Sequence, residues 1–206
     1  LEYEGMQTFA DALCNGALPS LLELWMSCKN IGDSGVIVFA DAISKGALPM
    51  LEHLSLNRNE IGHEGMKAFA SATGRGALPL LECLYLKQNN IGDEGMKTFS
   101  DAVLHSLKEL NLEKNKIGDE GMKAFADAIG KGALSMLKVL DIRKNNIGDE
   151  GMKAFATAIG KGALPQLNAL DLSLNPIGDE GMNAFAEAIR NPGTLPQLAE
   201  LSSLIV

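Results

Sequence analysis

The chain has 206 residues, 46% of them hydrophobic and 21% charged, and its formal net charge is −8. This length buries a real core, the balance is that of a folded chain rather than a disordered one, and the negative charge disfavours nonspecific binding to nucleic acid or acidic lipid. No apolar run approaches the roughly 20 residues that cross a bilayer, and no basic-then-apolar leader opens the sequence, so neither membrane span nor secretory signal is expected.

The elements come in a repeating pair. Units begin at Leu1 (LEYEG), Ile31 (IGDSG), Ile61 (IGHEG) and, as IGDEG, at Ile91, Ile117, Ile147 and Ile177. Successive starts lie 30 residues apart, except for the 26-residue step from Ile91 to Ile117. Such a sustained period predicts one solenoid domain over 1–206. The opening residues, without an initiator Met, read as part of a longer protein.

Within a unit the helix comes first. Met152, Phe155, Ala156 and Ile159 follow the i, i+3, i+4, i+7 spacing of one helix face, Asp149 stands as an N-cap, and Gly160 or Gly162 supplies the stop. A strand follows, in which Leu170 and Leu172 alternate with Ala169, Asp171 and Ser173. All seven phenylalanines, Phe9, Phe39, Phe69, Phe99, Phe125, Phe155 and Phe185, occupy one position of the unit. They predict a packed spine between helix and sheet, each ring stabilising by about 1.5–3 kcal/mol.

Along the chain, the slots beside the repeated leucines are the ones that vary. The first strand offers Glu23, Trp25, Ser27 and Cys28, the second His53, Ser55, Asn57 and Arg58, and the third Cys83, Tyr85, Lys87 and Gln88. In the fourth unit four residues matching GKGA are missing, so its helix should end early or turn more tightly into the strand. That irregularity either shapes a binding edge or is a tolerated loop deletion. The fourth strand then shows Glu109, Asn111, Glu113 and Lys114, the fifth Val139, Asp141, Arg143 and Lys144, and the sixth Ala169, Asp171, Ser173 and Leu174.

Other chemistry-bearing residues have structural readings. Asp93-Glu94, Asp119-Glu120, Asp149-Glu150 and Asp179-Glu180 open helices, where the dipole favours anions, rather than forming a calcium row. His53, His63 and His105 have no metal-ligand spacing, no nucleophile has a base at a recognisable offset, and the glycines form no phosphate-binding fingerprint, so no catalytic residue, metal or cofactor is expected. Cys14, Cys28 and Cys83 are odd in number and form no CxxC, which fits a reducing, cytoplasmic setting.

The run Leu167-x-x-Leu170-x-Leu172-x-x-Asn175-x-Ile177-Gly178 resembles a leucine-rich repeat, and a 30-residue unit with a full helix is similar to the ribonuclease-inhibitor-like class. That class includes the repeat domains of NLR-type receptors and of the Ran GTPase-activating protein. The resemblance implies an α/β fold, a right-handed β-α solenoid bent into a horseshoe arc, with a parallel sheet on the concave face and helices on the convex face. It also implies an inward ladder of amides at Asn59, Asn89, Asn115, Asn145 and Asn175, each bonding backbone of adjacent turns. Lys29 stands at the ladder position of the first turn, so a locally altered turn is expected there, with Asn30 as a substitute. At the other end LAELSSLIV places Ser203 where a strand leucine is due.

On such an arc the varying slots form the concave surface, and their divergence reflects either recognition or drift. Trp25 and Tyr85 share one slot with Ser55 between them, about 10 Å apart by strand spacing, and would frame a trough bordered by Arg58 and Lys87. Trp25 either recognises a partner or covers a sheet end. With His53, these residues make one half aromatic and mildly basic. Glu109, Glu113, Asp141 and Asp171, beside Asn111, give the other half an acidic stripe, answered by Lys114, Arg143 and Lys144. The mosaic suits a protein partner better than a polyanion. The function expected is a non-enzymatic protein-interaction module. A GTPase-activating or other enzyme-regulatory repeat protein, and the ligand-sensing end of an NLR-type receptor, are the alternatives. Neither end of the array reads as capped, which predicts flanking units or an end-to-end contact with another chain.

Overall fold

The switch of periodicity from 3.6 to 2 within each unit is realised as a helix followed by a short strand. The computed structural model describes residues 3–100, 102, 104–191 and 193–202. Leu1, the expected start of the first unit, and Ser203 lie outside the described residues. In chain order the elements are α1 (Tyr3–Cys14), β1 (Glu23–Trp25), α2 (Gly32–Ser44), β2 (His53–Ser55), α3 (His63–Gly74), β3 (Cys83–Tyr85), α4 (Asp93–Phe99), β4 (Glu109–Asn111), α5 (Asp119–Gly130), β5 (Val139–Asp141), α6 (Asp149–Gly160), β6 (Ala169–Asp171), α7 (Asp179–Ile189) and β7 (Glu200–Ser202).

The strands form one parallel sheet in chain order, and the pairing keeps every unit in register, with Leu54 beside Leu84, Leu110, Leu140 and Leu170 in turn. These leucines are buried beneath the sheet. Phe39, Phe69, Phe99, Phe125, Phe155 and Phe185 are buried on the helix side, while Phe9 is only partly covered. Phe155 and Phe185 lie nearly parallel with centroids 6.4 Å apart. Strands pair at about 4.8 Å whereas packed helices need about 8–10 Å. The stack therefore bends toward its strands, which line the inner face.

Buried amides bind the turns together. Asn89 accepts from the backbone N–H groups of Asn59 and Ile61, both at 3.0 Å, and donates to the carbonyls of Leu56 and Leu86. Asn115, Asn145 and Asn175 accept from Ile91, Ile117 and Ile147, and each donates to one carbonyl of the preceding turn and one of its own. Asn59 accepts from Lys29 and Ile31 and donates to Met26. The turn at Lys29 is altered: Asn30 and Gly32 adopt φ of +50° and +60°, a combination found in no later unit. Asn30 does not substitute for the ladder amide, because its side chain is exposed and the Lys29 backbone is served by Asn59 instead.

The acidic residues depart from the reading that each caps its own helix. The N-cap of α6 is Gly148, with no side-chain cap bond. Asp149 instead reaches into the next unit, where its Oδ1 accepts from the N–H groups of Gly178 and Gly181, each at 2.8 Å. Asp119 serves Gly148 and Gly151, and Asp93 serves Gly118 and Gly121, in the same way. Asp33 accepts from Gly62. A Cβ at Gly151 would stand 2.8 Å from Asp119 Oδ1, so the second glycine of GDEG is needed where the preceding carboxylate docks. Glu120 and Glu150 do pair with Lys123 and Lys153 of their own helices.

Candidate interaction face

The three-residue strands hold their outward side chains in columns. Glu23, His53, Cys83, Glu109, Val139 and Ala169 make one column, and Trp25, Ser55, Tyr85, Asn111, Asp141 and Asp171 make the next. Beyond the strands, Cys28, Arg58, Gln88, Lys114, Lys144 and Leu174 all take φ between +54° and +58°, so each unit turns sharply just after its outward slots.

Trp25 and Tyr85 do not frame a trough. Their rings stack with centroids 5.8 Å apart and planes inclined by 18°. Ser55, one strand from each, is 1% exposed and bonds through its hydroxyl to that of Ser27 at 2.8 Å, so it is floor rather than contact surface. A small residue between two large ones lets the rings lean together, which the strand spacing alone does not reveal. Trp25 remains 58% exposed, and its indole N–H donates to Glu23 Oε2 at 3.0 Å. The Tyr85 hydroxyl donates to Glu109 Oε2 at 3.1 Å. Burial, with Cys83 and Glu109 adding to it, pushes that hydroxyl far above the ordinary tyrosine range, so it stays a donor. His53 is half-buried in the column between Glu23 and Cys83, and Arg58 is exposed in the turn after β2.

The other half of the face is a closed ionic network. Glu113, 3% exposed, holds Lys87 Nζ at 2.7 Å and Arg143 Nη2 at 2.8 Å on Oε2, with Lys144 Nζ 3.6 Å from Oε1. Arg143 also lies 3.4 Å from both Asp141 and Asp171. Burial pushes the Glu113 carboxyl up, but hydrogen bonds from Lys87 and Arg143 overcome it and hold the group below its usual range. Asp141 goes the other way: burial raises it despite the backbone N–H and charge of Arg143. Asn111 donates to Asp141 at 3.1 Å, and the Ser173 hydroxyl donates to Asp171 at 2.6 Å. Glu113 is therefore an internal anchor, not an open contact. Its signal in the sequence is the alternation Lys87, Glu113, Arg143 at one slot of three successive units.

On the helix side, α4 has seven residues where α3 and α5 have twelve, as the shortened unit implies. A groove of about 460 Å³ opens there, lined by Lys97, Ser100, His105, Asp127, Lys131 and Leu134 among others. Among the described residues no group of three or more His, Cys, Asp or Glu side chains is placed to hold a metal ion, and no helix is long and apolar enough to cross a membrane.

The family model described as Leucine Rich repeat matches residues 47–70, 77–100, 103–126, 133–156 and 164–186, more than half of the chain. Among curated proteins, none matches. Among solved structures the chain is similar to an internalin C2 from Listeria monocytogenes str. 4b F2365, at 21% identity and a TM-score of 0.54, covering 90% of this chain and 62% of that one. It is also similar to the plant peptide hormone receptor RGFR1 in complex with RGF2, at 15% identity and a TM-score of 0.50, covering 91% of this chain and 28% of the receptor. A second internalin from the same Listeria strain, inlF, aligns over 83% of this chain and 51% of its own, at 21% identity and a TM-score of 0.41. The chain thus spans less than two thirds of each of these proteins, and at such identities the likeness is one of fold.

Proposed function

We propose, for a chain that belongs to the leucine-rich repeat family, a non-enzymatic role in which the inner strand face binds a protein partner. The observation that carries this reading is the exposed Trp25–Tyr85 stack, set outside a sheet whose phenylalanines are almost all packed inside. Trp and Tyr are among the residues most enriched at interface hot spots, and two rings already held against each other lose little freedom on binding. Trp25 leans inward along the face toward the third strand, which favours recognition over cover for the edge of β1. The net charge of −8 favours a polypeptide over a polyanion, and the plant receptor of similar fold is itself seen with RGF2 bound. Three free cysteines suit a reducing, cytoplasmic setting.

The test compares two surfaces. Protein captured from native extract should be lost when Trp25→Ala or Tyr85→Ala is introduced, by about tenfold or more in affinity, and retained with Lys123→Ala on the helix side. Equal losses from both surfaces would overturn the assignment.

A further inference from the structure

We propose that the Trp25–Tyr85 stack and the carboxylates at its two ends, Glu23 and Glu109, form a receptor for an arginine side chain of the partner. The proposal rests on the inner face being the binding surface and names the chemistry it takes.

The first observation is how the aromatic hydrogens are used. Indole and phenol each have one polar hydrogen, and both are donated to carboxylates, Trp25 to Glu23 Oε2 and Tyr85 to Glu109 Oε2. The carboxylates are thereby fixed beside the rings, and on each the second oxygen, Oε1, takes no hydrogen bond among the described residues. A carboxylate has acceptor sites on both oxygens, so each keeps capacity for a charged donor.

The second observation is charge balance. Glu113, Asp141 and Asp171 share Lys87, Arg143 and Lys144 within the molecule. Glu23 and Glu109 have no lysine or arginine partner among the described residues, and the column between them holds His53 and Cys83. Arg58, in the turn after β2, pairs with neither. One half of the face is neutralised internally, and the aromatic half keeps two carboxylates that no cation pairs with among the described residues, beside an exposed π surface.

Guanidinium fits both features at once. Its flat face stacks on an aromatic ring while its edge donates to a carboxylate in the same plane, and it is weakly hydrated. An ammonium is a compact, strongly hydrated charge without a face to stack. Arginine is favoured over lysine on that ground.

Trp25 is the one tryptophan in the sequence, so its fluorescence reports on the site directly. The probes are tri-arginine, tri-lysine and tri-citrulline peptides, titrated into the intact chain at low salt. Tri-arginine should change the emission saturably, and tri-citrulline, of the same shape without charge, should bind at least about fivefold more weakly, with tri-lysine between. Glu23→Gln with Glu109→Gln should weaken tri-arginine about fivefold, whereas Glu120→Gln with Glu150→Gln, which removes two charges from the helix side, should leave it unchanged. Equal binding of the citrulline peptide, or equal weakening by the two charge-matched pairs, would overturn the receptor. Capture of native partner separates this from the broader reading. If it depends on Trp25 and Tyr85 but survives the Glu23→Gln, Glu109→Gln pair, the face binds a partner and the arginine receptor is wrong.

Discussion

Glu113 is a carboxylate nearly closed to water, and three cations decide its behaviour. Because its folded pKa lies below the ordinary value of 4.5, its contribution to stability is complete above the unfolded glutamate range and is lost as the pH falls through the folded value. Asp141 has the opposite sign: its raised pKa favours the protonated form in the folded state, so its own contribution is greatest in acid and is lost as the pH rises through the folded value. Glu113→Gln should therefore cost about 2 kcal/mol at neutral pH, measured by urea denaturation. The difference from the parent should shrink as the pH falls through the folded value, below 4.5. A deficit independent of pH would mean that shape, not charge, is what the site needs. The ladder amides were legible as residues from the repeat motif, since each occupies the same offset from the strand leucines. The alternating charges at the Glu113 slot were legible too, but not the burial of the carboxylate, because that depends on how the Lys87, Arg143 and Lys144 side chains close over it.

At the scale of the element, the starts of α3, α5, α6 and α7 are completed by the unit before each. Two backbone N–H groups of α5, α6 and α7 are served by an aspartate from the preceding helix start, so the cap is also a cross-link between units. The repetition of IGDEG in the sequence announces the residues this device needs. It does not announce which helix the aspartate serves, because an Asp beside a helix start equally describes a cap of its own helix. The sequence interrupts the device at Tyr3 and at His63. Position 63, which should serve α4, is His63, and its Nδ1 is buried without a partner. His63→Asp places a carboxylate before the N–H groups of Gly92 and Gly95 and removes the orphaned nitrogen, and should raise stability by about 1 kcal/mol. Asp119→Ala, which strips the acceptor from Gly148 and Gly151, should lower it by about 1–2 kcal/mol. Thermal or chemical denaturation reads both, and a neutral His63→Asp would show that α4 has no use for the missing cap.

For the whole molecule, stability is a sum over units and the junctions between them, so the array is as cooperative as its weakest junction. The alternating pattern and the phenylalanine register were enough to read the stack, because the phenylalanine recurs in every unit and the alternation in every strand but the last. The consequence of the four missing residues was readable only as a shorter helix, since the groove beside it depends on α5 continuing past the point where α4 stops. Two deficits coincide at that unit: α4 has seven residues, and it lacks the aspartate that completes its neighbours. The strand side is unaffected, because β4 keeps its pairing on both edges and Asn115 keeps its bonds. Opening should begin on the convex side at α4 while the sheet stays closed. Native-state hydrogen exchange should show the α4 amides exchanging at least about tenfold faster than those of α3 and α5, with β4 as protected as β3 and β5. His63→Asp should slow α4 selectively. Uniform exchange across the three helices would mean that the lost turn and the lost cap are made good by packing, and that the units share their stability more evenly than nearest-neighbour stacking allows.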